Sequence, residues 1–345
     1  MQSNLFSTGQ FGPLTLKNRV VMPPMCMFSA DTQGRPTEFH YTHYVSRAIH
    51  QVGLIIVEAT GVSPEGRITD RDLGIWEDAQ IAPLKRIVDD CHKYGAQVLL
   101  QIAHAGRKCD VPTETAIAPS AIQLNDRYPV PHAMTQDEIK AFVGKMQAAA
   151  ERAISAGFDG VEIHAAHGYL INQFLSPVTN LRTDEYGGAA VNRVRLLREV
   201  VAAVDAVLPE EKALAVRVSA EEYHPEGLHP EDLAEMLNMI PEGQMDVIDV
   251  STGGLVSAAM AVYPGYQTLP AETIRSLTPY PVITGGMVYD PVLANEIIAN
   301  GRGDFVFVGR GLLHDAAWVV KAQRALGQEA QWPQPYRGAL SNLDI

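Results

Sequence analysis

Residues 157–174 read GFDGVEIHAAHGYLINQF. Gly157 can stop the Ala-rich helical pattern that Thr135 and Glu138 open as a capping box. Val161-Glu162-Ile163 is a short β-branched run, and His164, His167 and Tyr169 follow at once. The same unit recurs along the chain. Apolar runs stand at 19–22, 54–57, 97–100, 161–163, 214–218, 247–250, 282–283 and 305–308, with helical patterns between them. Asp290-Pro291 opens one such helix and Gly301 closes it, while Asp315 and Gly327 bracket another. Near-continuous apolar strands are covered on both faces, which is the mark of a parallel sheet. Eight strands alternating with helices predict an α/β fold, a (β/α)8 TIM barrel, as one domain over 1–345. A doubly wound sheet is the alternative, but strand count and length favour closure. The segment before the first strand is expected to lie across the barrel bottom. Two connections are long enough to be lids or binding loops: residues 104–134 after strand three and 251–270 after strand six.

The composition agrees with an enzyme-sized globular chain of 345 residues, 46% hydrophobic and 19% charged. Lys+Arg 27 against Asp+Glu 40 leaves a net charge of −13. Such a surface repels phosphate backbones and anionic lipid, so neither nucleic acid nor membrane is expected as a partner. No apolar run approaches the ~20 residues of a membrane span. The opening MQSNLFSTGQFGPL shows no basic segment followed by an apolar one, so a cytoplasmic location is expected. Cys26, Cys91 and Cys109 are odd in number and form no CxxC pair. That excludes a disulfide scaffold or a cysteine-ligated iron–sulfur cluster and fits a reducing compartment.

Barrel enzymes carry function at the C-terminal strand ends. Those ends hold Pro23, Pro24, Met25 and Cys26; Ala59; Gln101 and His104; His164 and His167; Arg217; Ser251 and Thr252; Gly285 and Gly286; Gly309 and Arg310. Glycines after strands seven and eight let backbone N–H groups approach an anion, and Arg310 adds charge, as in a barrel phosphate site. Read more plainly, they are tight turns. No GxGxxG follows a strand, no strand end carries a Schiff-base lysine, and no carboxylate cluster offers a hard-cation site. A bound organic cofactor with a phosphate tail therefore has to supply the chemistry. Gln101 and Arg217 then meet its polar ring edge, where a guanidinium suits a ring that becomes anionic on reduction. Arg217 can also make a salt bridge inside the barrel, with Glu162 as partner.

A helical turn after strand four would place His164 and His167 on one face, with Tyr169 just beyond. A zinc pair lacks a third ligand, so no metal is expected. Buried core histidines are a second reading. The preferred one has both imidazoles donating to a substrate oxygen while the Tyr169 hydroxyl delivers a proton. Cys26 is either a packing residue or a cofactor contact; Cys91 and Cys109 receive no role.

The stretches LKNRVVMPPMCMFSA (16–30), GRITDRDLGIW (66–76), QIAHAGRK (101–108), GFDGVEIHAAHGYLINQFLSPVTNLRTDEYGG (157–188) and FVFVGRGLL (305–313) together resemble the old yellow enzyme family. The chain is similar over nearly its whole length to the short bacterial, thermophilic-like branch of FMN-dependent NADPH dehydrogenases, or ene-reductases. HAAHGYL followed by LRTDEYGG is the specific part of the likeness, and Cys26 points to this branch. The resemblance implies bound FMN on Pro23, Pro24, Met25, Cys26, Ala59, Gln101 and Arg217, with its phosphate on Gly285, Gly286, Gly309 and Arg310. It implies NADPH as co-substrate and activated alkenes (enones, maleimides), nitro compounds or quinones as small-molecule oxidants. The reaction would be ping-pong hydride transfer through flavin N5, with His164 and His167 on the substrate oxygen and Tyr169 as proton donor. Phe28 stands on the substrate side where the branch often has tyrosine. The tail 328–345 contains PQPYRGAL, whose Arg337 would reach a neighbouring subunit's site in a homo-oligomer. Two rivals stand beside this reading. One is a non-redox phosphate-binding barrel lyase or isomerase, disfavoured because no Lys, Asp or Glu at a strand end offers a base. The other is a non-catalytic flavin-binding protein.

Overall fold

A computed structural model describes residues 4–340. Eight parallel strands close a barrel in chain order: β1 Val20–Met22, β2 Leu54–Gly61, β3 Gln97–Ala103, β4 Gly160–Ala165, β5 Ala213–Ser219, β6 Val247–Ser251, β7 Val282–Thr284 and β8 Phe305–Phe307. Closure comes where Val306 of β8 registers with Val20 of β1. Each strand is followed by a covering helix: α1 Glu38–Ile49, α2 Ile81–His92, α3 Gln136–Ser155, α4 Arg195–Asp205, α5 Pro230–Leu237, α6 Thr268–Leu277, α7 Pro291–Ala299 and α8 Trp318–Ala325. The fold is the (β/α)8 barrel that the strand pattern predicts.

Local chemistry accounts for the helix limits. At the start of α3, Thr135 Oγ1 accepts from Glu138 N at 3.3 Å while Glu138 Oε2 accepts from Thr135 N at 2.7 Å. Beyond its end Gly157 takes a φ of +89°, a conformation that suits glycine. Asp290 caps α7 by accepting from Val292 N at 2.7 Å, and Pro291 sits at the first turn where no N–H is needed.

Strand alternation sorts the side chains into two cores. Ile55, Val57, Val98, Leu100, Val161, Ile163, Val216 and Val218 face outward into the helix layer. Val21, Leu54, Ile56, Leu99, Ala213, Ala215, Val247, Ile283 and Phe305 face inward. The N-terminal segment folds as an antiparallel hairpin, Gly9–Phe11 with Leu14–Leu16, whose Phe11, Leu14 and Leu16 join that inner core. Phe11 meets Phe305 edge to face at 5.3 Å between centroids. The hairpin is thus the expected cover at the barrel bottom, and it leaves the other end open for chemistry.

Both long loops lie over that open end and touch each other. Arg107, in the loop after β3, donates to Leu255 O at 2.7 Å, in the loop after β6. Gly254 has a φ of +89°, and a Cβ there would stand 2.7 Å from the His167 Cα. Backbone therefore rests directly on backbone at this crossing.

The apolar plug carries a clear stability cost. Phe11→Ala should lower unfolding free energy by about 3–5 kcal/mol, the range for truncating a buried aromatic. Urea denaturation checks this, and ligand affinity at the open end should stay unchanged.

Candidate active site

The inward face changes character near the strand C-termini, where Gln101, Glu162, His164, Arg217, Ser219, Asp249 and Ser251 are all buried. Register decides which of them meet. His164 pairs with Arg217 across β4 and β5, Arg217 with Asp249 across β5 and β6, and Ser219 with Ser251.

His164 ends β4, and its Nδ1 accepts from Ala166 N at 3.3 Å. That bond leaves the ring proton on Nε2. His167 does not follow in a helical turn as its spacing suggests. It has a φ of +57° and Gly168 a φ of +70°. The left-handed turn is held from several sides. His167 N donates to Ser219 Oγ at 2.9 Å, Gly168 N donates to Asn172 Oδ1 at 2.7 Å, and Gly254 packs against the turn. The two rings still meet, perpendicular, at 5.2 Å between centroids.

The His167 ring is held by neighbours outside the sequence motif. Gln267 Nε2 donates to Ser251 Oγ at 3.0 Å, and that hydroxyl lies 2.7 Å from His167 Nε2. Burial first, then the nearby Arg217 and Lys108 cations, hold both imidazoles well below the usual histidine range. They are neutral donors at neutral pH. The Tyr169 ring lies 4.8 Å from His164 and 6.5 Å from His167. Burial pushes its hydroxyl well above the usual tyrosine range, and among the described residues that hydroxyl has no hydrogen-bond partner.

Lys108 is a residue that strand-end reading misses. It arrives on the loop after β3, with Nζ 5.4 Å from the Tyr169 ring centroid. It donates to His167 O at 2.7 Å and to Gly254 O at 2.5 Å. Lys108 and Asp249 both stand near the strand ends, where the sequence offered no lysine or acid as a base. Lys108 is committed to two carbonyls and Asp249 to Arg217, which keeps both from serving as a free base.

Arg217 does pair inside the barrel, but with Asp249 at 3.2 Å. Glu162, the partner suggested by sequence, registers with Ala215 instead and accepts from Gln101 Nε2 at 2.7 Å. The guanidinium also lies 5.5 Å from the Phe307 ring centroid.

The residues after β1, β7 and β8 converge. Pro23, Met25, Arg217, Ser251, Tyr266, Gly286, Phe307, Gly309 and Arg310 line one cavity of about 220 Å³. Gly286 has a φ of +89°. A Cβ on Gly285 would lie 2.6 Å from the Phe307 ring, so that glycine answers to its neighbour in the barrel. At Gly309 a Cβ would meet nothing closer than Met25 Sδ at 3.4 Å, so its openness faces the cavity. Arg310 is exposed and makes no hydrogen bond or ion pair among the described residues. Backbone amides beside an uncommitted guanidinium fit a phosphate.

The loop after β1 is pinned by Glu58, whose Oε2 accepts from Met27 N at 2.8 Å and whose Oε1 accepts from the Tyr44 hydroxyl at 2.9 Å. Pro24 and Cys26 stand half-buried on this loop. Burial, with Asp72 and Glu58 nearby, pushes the Cys26 thiol up, so it stays a neutral thiol. Phe28 is 43% exposed with a φ of +50°, its carbonyl accepting from Arg71 Nε at 2.9 Å. Ala59 shares a small recess with Tyr169, Ile68 and Ala103. Arg337 is not brought to this cavity within its own chain. It sits in a terminal helix, Gln334–Leu340, whose Tyr336 lies 6.5 Å from His50 at the end of α1 that leads into β2. No group of three His, Cys, Asp or Glu side chains fit for a metal occurs among the described residues. No helix among them is long and apolar enough to cross a membrane.

Comparison with known proteins agrees with this geometry. Residues 4–329 match the NADH:flavin oxidoreductase / NADH oxidase family. NADPH dehydrogenase of Geobacillus thermodenitrificans is 48% identical over 337 residues, covering 97% of this chain and 98% of that protein. NADPH dehydrogenase of Bacillus subtilis is 45% identical, covering 97% and 99%. Among solved structures, the old yellow enzyme homologue of Zymomonas mobilis superposes with a TM-score of 0.80 at 30% identity, over 96% of this chain and 94% of that one. Morphinone reductase in complex with tetrahydroNAD gives 0.81 at 29% identity, over 96% and 93%. On this evidence the chain belongs to the NADH:flavin oxidoreductase / NADH oxidase family, as an FMN-dependent NADPH oxidoreductase.

Proposed function

We propose that the enzyme is an ene-reductase, reducing activated C=C bonds in enones and maleimides, with nitro compounds and quinones as further oxidants. One observation carries the reading. His164, His167 and Tyr169 are three rings packed within 6.5 Å of one another, with both imidazoles neutral. Two neutral donors suit a carbonyl or nitro oxygen that gains negative charge as the reaction proceeds, because their strength is felt most once the charge develops.

FMN fits the residues present. Pro23, Pro24, Met25, Cys26 and Ala59 would carry the ring system, Gln101 and Arg217 its polar edge, and Gly285, Gly286, Gly309 and Arg310 its phosphate. The chemistry supplied by FMN when bound is two-electron hydride transfer between NADPH and an electron-poor carbon. His164 and His167 orient the oxidant by its oxygen, and Tyr169 gives the α-carbon its proton from the opposite face. NADPH and the oxidant take turns over the same rings, which makes the kinetics ping-pong. Burial keeps Tyr169 protonated at neutral pH, and the Lys108 cation beside its ring favours the phenolate left after transfer. Phe28 at the rim contributes apolar contact to the oxidant. The two long loops exclude water from the site. We extend the reading to a homo-oligomer in which Arg337 of one subunit approaches the cavity of the next.

Three measurements test this. Stopped-flow reaction of Tyr169→Phe should show alkene reduction slowed by roughly 10²–10⁴ while flavin reduction by NADPH stays near wild type. Equal losses in both half-reactions would make the tyrosine structural. Arg310→Ala should weaken FMN binding roughly 10- to 100-fold in apoprotein titration, the loss expected of a charged hydrogen bond to phosphate. Sedimentation should give a multiple of the chain mass, with Arg337→Ala raising KM for the oxidant; a monomer with wild-type KM in that variant removes the intersubunit role.

A further inference from the structure

Glu162 and Asp249 are the fully buried acids on the inner barrel face, and the reaction as described uses neither. They stand within hydrogen-bonding reach of each other. Ala215, the register partner of Glu162 on β4 and of Val247 on β6, offers only a methyl group between the two strands. That small residue leaves room for two carboxyl groups to meet across β5. Glu162 Oε1 accepts from Gln101 Nε2 at 2.7 Å, which turns the Gln101 amide so that its oxygen remains for another donor. Asp249 faces the Arg217 guanidinium at 3.2 Å. Glu162 Oε2 and Asp249 Oδ1 are buried without a donor, and Asp249 Oδ2 has Arg217 Nε at 3.2 Å but outside hydrogen-bond geometry, so a proton held between Glu162 Oε2 and one Asp249 oxygen gives those two atoms a partner.

We propose that Glu162 and Asp249 form a pair holding one proton and one negative charge, and that this pair positions Gln101 and Arg217 and sets the charge beneath the FMN ring. Two carboxylates this close inside the barrel cannot both ionise, and one cation beside them keeps one ionised. The directions agree. Burial and then Asp249 push Glu162 well above the usual carboxylate range, while Arg217 draws Asp249 back against the upward push of its own burial. The result is a guanidinium neutralised from below by a single charge. Both acids are positioning residues, acting through Gln101 and Arg217. The role toward FMN rests on the reading that those two residues meet its ring; the shared proton does not.

A single proton held by two acids places an unusual demand on mutants. Glu162→Gln or Asp249→Asn removes one acid and the shared proton with it, because Arg217 then holds the remaining acid ionised. Net charge under the ring is unchanged in each single variant and is lost only in the double. The infrared difference spectrum of the apoprotein at pH 8 should therefore show a protonated carboxyl band in wild type that disappears in both single variants. The two-electron potential of the FMN-loaded protein should move less than twofold in equilibrium terms in either single variant. In Glu162→Gln/Asp249→Asn it should rise at least tenfold, about 30 mV for two electrons. Absence of the wild-type band overturns the pair, and this arm needs neither FMN nor the double variant. Additive shifts in the two single variants also overturn it. The expected band with an unmoved potential in the double variant overturns the role toward FMN and, with it, the placement of Arg217 at the ring.

Discussion

Closure of the barrel is the constraint on which everything else here depends. A closed parallel sheet has no free edge, so each strand commits alternate residues to a single shared interior. Register then leaves little freedom over which side chains become neighbours. Below, the interior is apolar and stoppered by Phe11, Leu14 and Leu16 of the hairpin. Above, the same alternation buries Gln101 and Glu162 at one register and His164, Arg217 and Asp249 two residues further on. Charges placed there must be paired or neutralised, and the structure does both.

Neutrality matters as much as charge in this site. Burial keeps His164 and His167 uncharged, with His164 oriented by Ala166 and His167 by the Gln267–Ser251 contact. Two neutral donors can hold an oxygen without locking it as a salt bridge, so their contribution grows as the oxygen gains charge. The left-handed turn at His167 and Gly168 is what aims the second ring, and the loop after β6 holds that turn by direct backbone contact at Gly254.

The chain is acidic overall at −13, yet the open end of its barrel carries Lys108 beside Tyr169 and Arg217 and Arg310 in the cavity. Each cation has a different commitment. Lys108 is spent on two carbonyls, Arg217 is balanced by a buried acid, and Arg310 stays uncommitted at the rim.

Much of this was legible in the primary structure because it rests on local rules. Apolar runs, capping residues and closing glycines marked the strands and helices, and strand ends marked His164, His167, Tyr169, Gln101, Arg217, Gly309 and Arg310. The rest depended on register and on loop crossings, which no local pattern encodes. Asp249 instead of Glu162 as the partner of Arg217 follows from how β5 and β6 align. Lys108 reaches Tyr169 only because its loop folds back over the barrel mouth. The His167 turn is left-handed, and the loop after β6, 87 residues further along the chain, packs directly against it at Gly254. Arg337 lies far from its own cavity for the same kind of reason, since α1 and the terminal helix set its place and not its neighbours in the chain. Sequence by itself determined the elements and the chemical groups at their ends; the tertiary structure decided which groups become neighbours, because that depends on distances between strands that lie far apart along the chain.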